Sequence, residues 1–246
     1  MLLMLKVAIF IIGSGVHVQW RMDATPVSIP VCDAPPVSGL LTLPRAARAC
    51  FVFAHGAGAG MTHPFMAAFA ADLAAGNVAC LRYQFPFMER SSKRPDSPAT
   101  AQATVRAAVA KAALLAPHLP LFAGGKSFGG RMTSQAQAES PLPGVRGVAF
   151  LGFPLHSAGK PAVVRAEHLS SVHVPMLFLQ GDRDKLADLT LLRPIVERLG
   201  TRADLVEFPR ADHAFHVPAG SGRADAEVRG QVAKALLCWL DGLNGS

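Results

Sequence analysis

Residues 119–132 read LPLFAGGKSFGGRM, and two overlapping patterns compete for them. Gly125, Lys126 and Ser127 are the tail of a phosphate-binding loop. Gly125-Lys126-Ser127-Phe128-Gly129 is also G-x-S-x-G, a turn that presents a serine hydroxyl. The phosphate loop requires G-x-x-x-x-G-K-[S/T], and its first glycine would stand where the chain has Pro120. Proline has no amide hydrogen and cannot reach the backbone angles glycine allows. Leu121, Phe122 and Ala123 are strand material, which leaves no length to wrap amides around a phosphate. The second pattern fits. An apolar strand turns sharply into a helix, and Gly125 and Gly129, two positions either side of Ser127, let strand and helix approach closely. Lys126 is then the variable residue of the turn, and the sequence assigns it no role.

Working outward, short apolar runs recur at 28–31, 39–44, 49–56, 78–85, 119–125, 145–154, 174–182 and 203–213. The middle ones are nearly continuous in Val, Leu, Phe and Ala, as strands buried on both faces of a parallel sheet read. Helical patterns fall between them at 62–76, 96–117, 127–139, 186–200 and 224–243. Thr62 is a candidate cap for the first, and Pro194 predicts a kink or split in the fourth. Alternating strands and helices predict an α/β architecture, a mostly parallel sheet with helices on both faces. Chemistry in such sheets gathers at the carboxyl ends of the strands. The residues there are His55 to Gly58, Ser127, Asp182 and Asp184, and His213.

A serine hydroxyl is a weak nucleophile and needs a base, which needs an orienting acid. The order Ser, Asp, His is the one found with this turn. Asp184 follows the run MLFLQGD, with Asp182 as its rival, and His213 follows LVEFPRAD. Asp212 adjoins His213, but neighbouring side chains diverge, so it is the weaker orienter; His216 is the reserve base. An oxyanion hole requires two N–H donors. Phe128, after the serine, is one candidate. Ala57, in the glycine-rich stretch AHGAGAG, is the other, with Gly58 as its alternative. A metal site from Asp182, Asp184 and His213 lacks a second His at ligand spacing, so neither metal nor cofactor is expected.

Bulk composition narrows the class. The 246 residues, half of them hydrophobic, suit one domain, and the net charge of +7 is spread along the chain. With 7% aromatics there are few platforms for stacking bases, so nucleic acid is not an expected partner. Cys32, Cys50, Cys80 and Cys238 show no metal or disulfide spacing, and all but Cys32 lie in apolar runs that suggest burial. The opening MLLMLKVAIFIIGSG is apolar but too short after Lys6 to span a bilayer. Residues 1–21 are read as an extension, either a signal-like segment or a mis-assigned start, before a domain at 22–246. The expected location is cytoplasmic, with secretion left open by that N-terminus.

FAHGAGAGMTHPFM, LRYQFPFMERSSKRPD, GGKSFGGRM, FLGFPLHSAGKP, QGDRDKLAD and DHAFHV together resemble small single-domain α/β-hydrolases of the dienelactone hydrolase kind. The group they most resemble is that of the testis-expressed and NSL-complex-subunit predicted hydrolases. The resemblance spans roughly Val27 to Leu240. It implies an eight-stranded, mostly parallel sheet with Ser127, Asp184 and His213 as a catalytic triad. True dienelactone hydrolases use a Cys nucleophile, whereas this chain has Ser127, so that substrate is not carried over. The expected function is cofactor-free hydrolysis of an ester or similar acyl bond in a small molecule. The alternative is a non-catalytic scaffold or binding module on the same fold. Residues 155–173 offer little material for a lid, and His55, Arg90, Lys93 and Arg94 are candidates for the substrate rim. Oligomeric state is not legible.

Overall fold

Along the run ACFVFA, side chains alternate between two cores. Ala49, Phe51 and Phe53 enter one apolar cluster, and Cys50, Val52 and Ala54 the other, all of them at most 1% exposed. That two-sided burial is what a central strand covered on both faces requires. The computed structural model describes residues 6–12, 15–21 and 24–245, with side chains from residue 24 onward.

Strands β1 (Lys6–Ile12) and β2 (Gly15–Arg21) pair antiparallel as a separate two-stranded sheet. The main sheet contains β3 (Thr25–Val31), β4 (Ala34–Thr42), β5 (Ala49–Ala54), β6 (Val78–Tyr83), β7 (Leu121–Lys126), β8 (Val145–Leu151), β9 (Met176–Gly181) and β10 (Ala203–Phe208). Its eight strands run in the order β10-β9-β8-β7-β5-β6-β4-β3. β3 and β4 form an antiparallel hairpin, β4 meets β6 antiparallel, and every other pairing is parallel. The sheet is open rather than closed, with β3 and β10 as its edges.

Helices α1 (Pro64–Ala75) and α6 (Asp225–Asn244) cover the face that carries Phe51 and Phe53. Helices α3 (Pro98–Leu115), α4 (Phe128–Glu139) and α5 (Leu189–Leu199) cover the other. A one-turn helix, α2 (Pro86–Glu89), follows β6. Between β8 and β9 the chain contributes a 3₁₀ helix, Val164–Ser171, and no separate lid appears among the described residues. None of the described helices is long and apolar enough to cross a membrane.

Three local expectations are corrected. The cap of α1 is His63, whose Nδ1 accepts from Phe65 N at 3.2 Å, not Thr62. Pro194 lies inside α5 without splitting it. The helix keeps an Asp188 cap and buries Leu189, Leu192, Ile195, Val196 and Leu199 on one stripe, and these outweigh the one hydrogen bond proline forfeits. Cys50 and Cys80 are buried as expected, but Cys238 is exposed, because its position on α6 faces away from the stripe Val228, Val232, Leu236 and Leu240.

Candidate active site

Ser127 stands between β7 and α4 with φ 52° and ψ −117°, in a region non-glycine residues rarely enter. Sterics around the turn explain why its flanking positions are glycine. A Cβ on Gly125 would lie 2.7 Å from Ala54 O and Gly130 N, and one on Gly129 2.5 Å from His55 O. The serine amide is tied to Leu151 O of β8 at 3.0 Å, which fixes the turn against its neighbouring strand.

The next two strands end beside it. His213 Nε2 lies 2.8 Å from Ser127 Oγ, and His213 Nδ1 lies 2.6 Å from Asp184 Oδ2. When Nδ1–H donates to the Asp184 carboxylate, Nε2 is left as the acceptor for the serine hydroxyl. The Asp184 side chain is fully buried, while that of His213 is 27% exposed. The carboxylate accepts two further donors: Oδ1 accepts from Leu186 N at 2.8 Å, and Oδ2 also accepts from Gln180 Nε2 at 2.6 Å. Gln180 Oε1 in turn accepts from Phe153 N at 2.9 Å, linking the ends of β8 and β9. Gln180 was not among the sequence candidates. Its signal is a lone amide in the otherwise apolar run MLFLQG.

The rival residues have other partners. Asp182 Oδ1 accepts from Arg210 N at 2.6 Å. Asp212 Oδ1 accepts from Ala214 N at 2.8 Å and His216 N at 2.9 Å, closing the turn that carries His213. His216 lies 2.8 Å from Asp225, which raises its pKa above the ordinary value, and is exposed.

The loop after β5 passes the serine closely, since a Cβ on Gly56 would lie 3.7 Å from Ser127 Cβ. Ala57 is partly buried in that loop. Phe128 is the first residue of α4, where a helix leaves its N–H groups without acceptors of its own. Phe128 packs edge-on against Phe85 and Phe87, closing that side of the site with aromatic rings.

Of the residues read as a rim, His55 is buried and the three cations lie on the loop after α2. His55 is fully buried, with Phe85 N donating to its Nε2 at 3.0 Å and its Nδ1 2.7 Å from Gly56 O. Burial lowers its pKa to about 4, so the ring is a neutral tie between two loops instead of a rim contact. Arg90 is paired with Asp96 at 2.7 Å, and the buried Asp96 carboxylate also accepts from Phe87 N at 2.8 Å. Lys93 and Arg94 are exposed on the same loop between α2 and α3.

Known structures share this architecture. A dienelactone hydrolase from Anabaena variabilis superposes with a TM-score of 0.72 at 23% identity, over 90% of this chain and 99% of that one. An α/β serine hydrolase without a lid from Xanthomonas campestris gives 0.69 at 21% identity, over 89% and 96%. Est1E from Butyrivibrio proteoclasticus gives 0.67 at 16% identity, over 88% and 99%. At these identities the likeness is one of fold. The model of the α/β hydrolase domain matches residues 47–241, from just before β5 through nearly all of α6, and the chain belongs to the α/β-hydrolase family.

Proposed function

We propose that this protein is a serine hydrolase that cleaves an ester or related acyl bond of a small molecule. The observation that carries the reading is His213 bridging Ser127 Oγ at 2.8 Å and the buried Asp184 carboxylate at 2.6 Å. In the proposed reaction, His213 Nε2 takes the Ser127 proton as Oγ bonds to the substrate carbonyl carbon. Asp184 holds the imidazole and balances the charge it gains. The amides of Phe128 and Ala57 receive the oxyanion. The carbon–oxygen bond to the leaving group then breaks as His213 returns the proton to that group. Water, deprotonated by His213, attacks the acyl-enzyme and releases the acid and free Ser127.

The test is covalent labelling by a fluorophosphonate together with turnover of p-nitrophenyl esters of graded chain length. Labelled wild type, with Ser127→Ala neither labelled nor active, is the expected result. An unlabelled, inactive wild type overturns the reading and favours a non-catalytic role on the same fold.

A further inference from the structure

Lys126 precedes Ser127 and ends β7, yet its side chain takes no part in the reaction just described. It is partly buried and turns inward. Its Nζ donates to the main-chain oxygen of His213 and lies 5.4 Å from the ring centroid of Phe215. Phe215 is 1% exposed and has φ 63°, so it is a fixed platform in a constrained turn. Gly152, at the end of β8, faces the same spot. A Cβ there would lie 3.1 Å from Lys126 Nζ, 3.3 Å from His213 Nδ1 and 3.4 Å from His213 Cε1. The ammonium and the imidazole therefore rest side by side on Gly152. Asp184 from the β9–α5 loop and Asp212 from the β10–α6 loop both favour its charge, but burial dominates and lowers its pKa to about 8.

Holding an ammonium in such a place works against stability, because burial favours its neutral form. An apolar side chain would fill the volume without that penalty. What the ammonium supplies is a charge-assisted hydrogen bond, with a cation–π contact, to the one loop whose position sets the His213–Ser127 distance.

We propose that Lys126 is a positioning residue: its ammonium anchors the main chain of His213, and so aims the imidazole at both Ser127 Oγ and Asp184. This rests on the reading of Ser127, His213 and Asp184 as a triad. Misplacement of a reacting group by about an ångström lowers rates about a hundredfold, so a loosened His213 loop appears in kcat more than in KM. The same anchor makes geometry sensitive to alkali, since loss of the Lys126 proton removes the charge from the bond.

The test compares Lys126→Met and Lys126→Arg in the full chain. One readout is independent of turnover: nitrogen-15 histidine NMR, which follows the hydrogen-bonded Nδ1–H of His213. The expected result for Lys126→Met is a thermal midpoint equal to or above wild type and a shifted or lost His213 Nδ1–H signal. Its kcat falls about a hundredfold while KM stays within about twofold. Lys126→Arg, which stays charged, is expected to keep the signal and most of kcat, and to lack the alkaline fall in kcat/KM expected of wild type near pH 8. A wild-type His213 signal in Lys126→Met overturns the proposal, as does an unchanged alkaline limb in Lys126→Arg. If wild type hydrolyses no ester, the triad reading fails, and the NMR comparison still decides whether Lys126 orients His213.

Discussion

Gln180 Nε2 donates to Asp184 Oδ2 at 2.6 Å, the same carboxylate oxygen that faces His213 Nδ1. One fully buried amide thus holds the acid while its oxygen receives Phe153 N from the neighbouring strand end. Replacing it by Gln180→Leu leaves a buried N–H of Phe153 without an acceptor and removes a donor from Asp184. Stability is expected to fall by about 1–3 kcal/mol in urea unfolding. Under the proposed triad, ester turnover is expected to fall about tenfold, in kcat rather than KM, because the carboxylate proposed to orient His213 is less firmly held. Unchanged turnover and stability would show that the amide is dispensable.

The approach of α4 to β5 sets a second expectation. Gly129→Ala would bring a methyl group to 2.5 Å from His55 O and 2.6 Å from Ala54 Cβ, and backbone cannot yield as a side-chain tip can. A loss of about 1–3 kcal/mol or more is expected. Gly58→Ala meets nothing within 4 Å and should leave the thermal midpoint close to wild type. Equal midpoints for the two variants would mean that the turn is looser than its geometry indicates.

Acid sensitivity follows from His55. Its pKa is lowered from 6.5 to about 4 by burial, so between those values the unfolded chain binds a proton that the folded chain refuses. Stability is therefore full above pH 6.5 and is lost as pH falls toward 4. The loss from this residue approaches about 3 kcal/mol, at 1.36 kcal/mol per unit. His168, lowered to about 4 by burial and by Arg131, acts in the same direction, less strongly because its ring is partly exposed. Urea midpoints measured from pH 7 to pH 4.5 should fall steadily. His55→Gln, which keeps a donor and an acceptor without a titrating ring, should flatten the dependence; an equally steep fall would assign it to other groups.

How much of this was legible in the chain depends on the range of the interaction. The sheet was readable because its middle strands are nearly continuous apolar runs, and the ends of β7, β9 and β10 nominate the loops where Ser127, Asp184 and His213 fall. The glycines around Ser127 were readable because the turn demands them locally. His55 was not, since a histidine at a strand end looks the same whether it faces a ligand or the amide of Phe85, thirty residues on. Arg90 reads as a free cation until Asp96 is seen folded back onto it. Lys126 is the extreme case, because its acceptor lies 87 residues away and only the alignment of β7, β8, β9 and β10 side by side brings them together. The start of β3 at Thr25 was missed for a different reason: an edge strand alternates between exposed and buried positions and carries two prolines, Pro26 and Pro30, so its outer half lacks an apolar run.

The backbone angles at Ser127 have a thermodynamic corollary. A conformation with φ 52° and ψ −117° is one glycine adopts at little cost and a residue with a side chain at about 1–3 kcal/mol. The rest of the domain therefore carries a standing load at this single position, sustained by the two cores on either side of the sheet. Drift toward glycine here would relax the fold, so the serine marks a point where the most stable version of this chain and the version that presents a hydroxyl are different molecules.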